Sequence, residues 1–287
     1  MRDPLVRRIP VLLLILTALS VLPLGAVDAD FQVSVEVGED LLEHPVDGRL
    51  LLLIGTDPDE EPRFQIGWGV GSGQIFGVDV EDLEAGEPVV FDETVFGWPT
   101  RSLDDLPAGE YRVQALLHRY DTFERSDGHV LQLPASWKAG QRWNREPGNL
   151  YSEPKTAEID PNAGGELSIV LDREIPPTEP PEDTKYVRHV RIKSELLSEF
   201  WGRDFYLGAH VLVPRGFDEH PEARYPLMIF HGHYPEDFGG FRTEPPDPDL
   251  ECEYSERFDV ECYNRIQQEE AYAFYQKWIS DDFPRFL

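Results

Sequence analysis

Between Phe31 and Asp172 the apolar positions fall in short alternating or continuous runs, separated by Gly, Pro and Asp. Such runs predict strands over Phe31 to Val37, Arg49 to Ile54, Gln74 to Val80, Val89 to Asp92, Tyr111 to His118, His129 to Leu133 and Glu166 to Leu171. Seven short strands joined by turn residues predict a β-sandwich over residues 30–174. The pattern then stops at Ile175-Pro-Pro-Thr-Glu-Pro-Pro-Glu-Asp. Prolines cannot donate ladder hydrogen bonds and favour an extended chain, so residues 175–184 read as a linker.

Beyond Tyr186 the pattern reads strand, turn, strand, strand. Val187 to Ile192 alternates, Phe205 to Pro214 is a second extended run, and Arg215 to Arg224 is a polar connection. Leu227 to Phe230 is a short continuous apolar run, which predicts a strand buried on both faces. After a proline-rich acidic loop, Tyr263 to Ile279 predicts a helix with Ile266, Ala273, Phe274 and Trp278 on one face and Gln267, Gln268 and Glu269 turned outward. Asp281 to Pro284 breaks it, and Arg285-Phe-Leu fits the start of another strand.

The N-terminus adds an address. Arg2, Arg7 and Arg8 precede an apolar run from Ile9 to Leu24, and the small residues Gly25, Ala26 and Ala29 follow. Those three regions predict a secretory signal over residues 1–29, cleaved after Ala26 or Ala29, and an extracytoplasmic protein. An uncleaved membrane anchor is the alternative. No later stretch is apolar and long enough to span a bilayer, so no stable membrane insertion is expected after cleavage. The formal charge of −29, from 55 acidic against 26 basic residues, repels phosphate backbones and argues against nucleic-acid partners. The two cysteines, Cys252 and Cys262, predict a local disulfide in an oxidising compartment. Zinc binding there would need further ligands at a recognisable spacing, which the segment lacks.

Several motifs invite a functional reading. The run Gly67-Trp-Gly-Val-Gly-Ser-Gly lacks the spacing, the lysine and the following helix of a phosphate-binding loop, and reads as a flexible loop carrying an exposed or half-buried Trp68. Trp137, Trp143 and Tyr151, with Asn144 and Asn149, have the composition of a sugar-stacking loop, but aromatics in long sandwich loops also cover a core, and cover is the favoured reading. The segment Leu106-Pro-Ala-Gly-Glu-Tyr-Arg-Val-Gln-Ala resembles the turn-then-tyrosine entry to a late strand of immunoglobulin-like sandwiches, with Tyr111 in the core.

The run from Arg203 to Asp218, ending Pro214-Arg-Gly-Phe-Asp, and then Arg224-Tyr-Pro-Leu-Met-Ile-Phe-His-Gly-His resemble the opening of the esterase-D-like branch of α/β-hydrolases. In that branch a strand ending Pro-x-Gly-Phe-Asp precedes a Tyr-Pro-apolar strand ending His-Gly. The sandwich in front also resembles enterochelin-esterase-like relatives. The resemblance implies an incomplete α/β-hydrolase domain over residues 185–287, behind an immunoglobulin-like β-sandwich. It also implies an oxyanion hole in the loop His231-Gly232, with the backbone N–H of His233, helped by Tyr234, as donor to the developing negative charge.

The remaining machinery is not in the sequence. A nucleophile elbow needs Gly-x-Ser-x-Gly on a strand-to-helix turn, followed by an acid and a histidine. Ser72 has the wrong spacing, and Ser255 and Ser280 lack flanking glycines. The expectation is therefore the N-terminal fragment of an exported serine esterase, inactive as it stands. Its parent would act on a small-molecule or carbohydrate ester without metal or organic cofactor. His231-x-His233 as metal ligands would require later histidines, and none follows. A different class of function is a non-catalytic secreted protein whose sandwich binds a glycan or a protein.

Overall fold

The computed structural model describes residues 30–69, 71–134, 142–179, 181–231, 238 and 240–281. The first strands are β1 (Phe31–Val37), β2 (Val46–Gly55), β3 (Gln74–Leu83), β4 (Val89–Phe91) and β5 (Gly97–Trp98). They are followed by β6 (Gly109–Glu124), β7 (Val130–Pro134), β8 (Leu150–Tyr151), β9 (Lys155–Ile159), β10 (Gly165–Leu171) and β11 (Arg173–Glu174). Two sheets result. The smaller runs β10-β1-β4, with β1 parallel to β10 and antiparallel to β4. The larger runs β11-β8-β6-β2-β3-β5 and is antiparallel throughout.

Strand β6 is the hub of the larger sheet. One edge pairs with β2 from Arg112 to Tyr120, and the other takes β9, β8 and β7 in succession along its length. Period-two alternation sends Leu50, Leu52 and Ile54 of β2, with Val113, Ala115 and Leu117 of β6, into the space between the sheets. There they meet Val33 and Val35 of β1, Phe91 of β4, and Ile169 and Leu171 of β10 in one core. Tyr111 lies at its margin, and its hydroxyl donates to the Pro107 carbonyl at 2.7 Å. That bond ties the strand to its entry turn, as a tyrosine corner does. The phenol's pKa is raised by burial.

The opposite face of β2 and β6 is also covered. Leu51, Leu53, Leu116 and Ile175 are buried in a second cluster, against which Ile66, Ile75, Trp143 and Tyr151 pack. Ile175 heads the proline-rich stretch, yet it is buried and exchanges backbone hydrogen bonds with Gly148 and Asn149 at 2.9 Å each. Its side chain belongs to the front sheet. Among the described residues, 176–184 hold no regular structure.

The C-terminal portion is thinner. Strands β12 (Val187–Lys193) and β13 (Tyr206–Leu212) form an antiparallel pair, bridged by helix α1 (Glu195–Trp201), which the strand-turn-strand pattern does not anticipate. Ser194 caps α1 by accepting from the Leu197 N–H, and Trp201 packs edge-on against Phe123 of β6. Arg203 pairs with Asp121 at 2.7 Å, so this helix is fastened to the β6–β7 hairpin. Helix α2 (Tyr263–Ile279) has the predicted bounds, and of the predicted inward face Phe274, edge-on to Phe241, and Trp278 turn inward. Ala271 is its buried residue, and Tyr275 meets Tyr186 and Phe241 edge-on, whereas Ile266 and Ala273 are exposed. Trp278 Nε1 donates to the Val213 carbonyl at 2.9 Å, which places α2 beside the end of β13.

One expected element is not formed. Leu227, Met228, Ile229 and Phe230 adopt no strand and are 79%, 88%, 80% and 88% exposed, so the expectation of two-sided burial is corrected. An apolar strand needs partners on its edges and cover on its faces. Among the described residues none packs there closely enough to bury these four side chains.

The protein is thus β-rich, with two helices among its described residues and a front unit holding nearly all of the core. The contrast is measurable. Phe91→Ala should lower unfolding free energy by about 3–5 kcal/mol through the lost transfer energy and the cavity left behind. Phe230→Ala should stay within about 0.5 kcal/mol of the parent, as substitutions of exposed side chains do. Denaturant titration of both variants checks the pair.

Candidate functional site

The loop singled out by sequence begins at the end of the exposed run. His231 is exposed and carries no regular structure, while Gly232, His233 and Tyr234 lie outside the described residues. The serines weighed as nucleophiles serve other ends. Ser72 accepts from the Gly67 N–H at 3.1 Å and donates to the Gly73 carbonyl at 2.8 Å, closing its own loop. Ser280 Oγ donates to the Lys277 carbonyl at the end of α2, and the backbone of Ser255 bridges Val260.

The cysteines behave as expected. Cys252 and Cys262 are disulfide-bonded with Cα atoms 4.3 Å apart, closing a hairpin that presents Tyr254 and Phe258 at half exposure. Among the described residues no cysteine is free and no group of three or more His, Cys, Asp or Glu side chains is arranged to hold a metal ion. No helix in the same set is long and apolar enough to cross a membrane.

Polar chemistry concentrates instead on the outer face of the larger sheet, where cross-strand pairing brings distant residues together. Arg49 of β2 stands between Asp79 of β3 and His118 of β6 in the register. Its guanidinium donates to Asp79 at 2.6 Å and reaches the Gly77 carbonyl. Gly77 leaves room for it, because a Cβ at that position would lie 2.8 Å from Arg49 Nε and push the guanidinium aside. His118 Nε2 sits 2.9 Å from the carboxylate of Glu146, which is 3% exposed, and Tyr120 meets the imidazole edge-on. Burial pushes the Tyr120 phenol upward, partly offset by the charge of Arg49. The row thus brings together a buried carboxylate, an imidazole and a phenol on one face of the sheet.

A second buried polar set fixes the covering loops. Gln114 Nε2 donates to Glu61 and to the Ser152 carbonyl at 2.9 Å each, and its Oε1 accepts from the Arg63 N–H. The Arg63 guanidinium lies over the rings of Phe64 and Tyr151, 4.6 and 4.3 Å from their centroids. Asn144 and Asn149 donate to the carbonyls of Arg63 and Trp143. Trp143 and Tyr151 therefore cover the outer core, while Trp137 lies outside the described residues. Sequence spacing gave no sign of the His118–Glu146 pair, since only the β6 register and the fold of the 143–149 loop bring them together.

At the head of β12, His189 and His210 face each other across the strand pair with ring centroids 5.0 Å apart. Asp183 accepts from the His189 N–H at 2.7 Å, and this bond holds its carboxyl below the usual carboxylate range.

Comparison with family profiles, with curated proteins and with solved structures found no match to this chain. The structure therefore defines a β-rich chain with two α-helices among its described residues, and its function is argued from its own residues.

Two expectations follow. Because folding lowers the Asp183 pKa, its support of β12 is present above about pH 3.9, the ordinary aspartate value, and is lost as pH falls through the lower folded value. Hydrogen exchange at the His189 amide should accelerate along that acid limb, and Asp183→Asn should remove the dependence. Replacing both cysteines by serine should weaken the 252–262 hairpin by about 2–3 kcal/mol, the loop-closure entropy for a ring of this size. Local exchange rates in that segment, with β2 and β6 unchanged, would show it.

Proposed function

We propose that residues 185–287 are the opening segment of an esterase-like α/β-hydrolase domain in an exported protein, and that this chain alone does not hydrolyse esters. The single observation that supports this reading is the solvent exposure of Leu227–Phe230 directly behind the antiparallel β12–β13 pair. Four consecutive apolar side chains in water suit a strand whose neighbours are supplied by further polypeptide. The motifs ending Pro214-Arg-Gly-Phe-Asp and Phe230-His-Gly-His flank that run, as in the resemblance that suggested the family.

In this scheme a serine on that further polypeptide attacks the carbonyl carbon of a small-molecule or carbohydrate ester. A histidine takes its proton and returns it to the leaving alkoxide, and an acid holds the histidine in the productive tautomer. Negative charge gathers on the carbonyl oxygen. One backbone donor comes from the residue after the serine and the other from His233, with Gly232 allowing the turn and Tyr234 beside it. No metal or organic cofactor takes part in these steps.

The purified chain should neither hydrolyse p-nitrophenyl acetate above buffer nor react with a fluorophosphonate probe. Extended through a downstream Gly-x-Ser-x-Gly frame, it should gain one labelled serine. His233→Pro, which deletes the donor N–H, should then lower kcat by about 10²–10³-fold with little change in KM. Labelling of Ser72, Ser255 or Ser280 in the chain alone would sink the scheme.

A further inference from the structure

The β6–β7 hairpin outruns the sheet it belongs to. Strand β2 pairs with β6 only as far as Tyr120, and from Asp121 to Glu124 the strand partner among the described residues is β7 alone. Phe123, on this projecting part, is nevertheless only 6% exposed and lies in neither core cluster. A two-stranded tip has no second layer of its own, so another element must supply the cover. Trp201, the last residue of α1, supplies it, with its ring edge-on to Phe123 and the centroids 5.7 Å apart.

Around this pair each side lends the other an arginine. Arg125 of the hairpin turn lies over the Phe200 ring at 4.7 Å and over Trp201 at 5.7 Å, and Arg203, just past α1, lies over Phe123 at 4.9 Å. Both guanidiniums are paired with carboxylates of the hairpin, Arg125 with Asp127 and Arg203 with Asp121. A cation held over a ring face and tied to a carboxylate orients both partners, where apolar contact alone would leave them free to slide.

The backbones meet as well. The Ser126 N–H donates to the Phe200 carbonyl at 2.8 Å, satisfying one of the carbonyls that a helix end leaves without an intrahelical partner. Gly202 ends the helix at φ +68°, and a Cβ there would lie 2.5 Å from the Glu124 carbonyl oxygen. A side chain is therefore refused twice, by the left-handed backbone and by the close approach. Helix α1 has seven residues, fewer than a helix needs to stand alone in water, so its form depends on the hairpin that caps and covers it. Because α1 joins β12 to β13, whatever fixes the helix fixes the strand pair.

We infer that the tip of the β6–β7 hairpin is the docking site for α1 and holds the β12–β13 pair in one position on the front unit, so that residues 176–184 act as a strap between two joined bodies and not as a hinge. Units connected only by extended, proline-rich chain move relative to one another by default, and the reciprocal arginines and the shared backbone bond oppose that motion. The joint holds whatever chemistry the rear segment performs.

The test uses the full chain with a protease-recognition sequence placed within residues 176–184. After cleavage the two pieces should co-elute on size exclusion at micromolar concentration, and Trp201→Ala should raise their dissociation constant about tenfold. In the uncut chain, hydrogen exchange at the Ser126 amide should be slow in the parent and accelerate about tenfold in Trp201→Ala, with the amides of the β2–β6 ladder unchanged. Should Trp201→Ala disturb that ladder, Arg203→Ala, whose side chain is 42% exposed, reads the same quantities with an expected change of about threefold. Separation of the cut parent pieces, association unchanged by these substitutions, or Ser126 exchange as fast in the parent as in the variants would each overturn the assignment.

Discussion

The fold depends on burying β2 and β6 from both sides at once. Each contributes one row of side chains to the space between the sheets and another to the outer cluster. Two-sided burial of neighbouring strands is usual where helices cover a sheet, but here loops supply the second cover. Residues 61–66, 142–151 and Ile175 are therefore structural members of the sheet, although sequence pattern treats most of them as connections. A loop can bury apolar surface only if its own backbone polar groups find partners. Gln114 and Asn149 meet that need from inside, each nearly inaccessible and bonded to a loop backbone group, and the buried Ser152 hydroxyl ties its own loop to the Ala115 N–H of β6.

This constraint explains which polar residues are buried. Gln114 sits on the outer row of β6, between Val113 and Ala115 of the inner core, where an apolar residue would satisfy the hydrophobic requirement equally well. An amide there supplies two donors and one acceptor to fix the 61–66 loop against Ser152. Glu146 does the same for the other covering loop through His118, so this buried carboxylate has a structural partner on β6. The Arg63 guanidinium, layered between Phe64 and Tyr151, closes the gap between the two loops with charge on aromatic faces.

Much of the front unit was legible because alternation is a local signal. Phe31–Val37 and Val89–Phe91 were bounded to within a residue, and the Tyr111 entry turn was readable from its Pro and Gly. Lys155–Ile159 was missed because Thr156 and Glu158 alternate with weakly apolar partners, and only the free edge of β6 recruits that segment. Helix α1 spans seven residues, too short for periodicity to declare it, although Ser194 followed by Glu195 is a recognisable start. For α2 the extent and the inward turn of Phe274 and Trp278 were legible, but the rest of the facing was not. Tyr186 and Phe241, distant in sequence, choose Ala271 and Tyr275 over Ile266 and Ala273.

Leu50–Ile54 and Leu227–Phe230 carry nearly the same message in sequence, a continuous apolar run between turn residues, and meet opposite fates. The first is buried throughout, while the second is exposed at every position. Composition cannot account for that difference, because Leu, Met, Ile and Phe favour burial at least as strongly as Leu and Ile alone. What differs is supply. Leu50–Ile54 has β3 and β6 on its edges and covers on both faces, whereas the segment beyond β13 finds only the few buried contacts of Tyr186, Val187, Val213 and Ala271 nearby in the chain. The front unit thus holds both the inner core and the outer cluster of β2 and β6. Leu227–Phe230 has strand-forming sequence but, among the described residues, no strand partner.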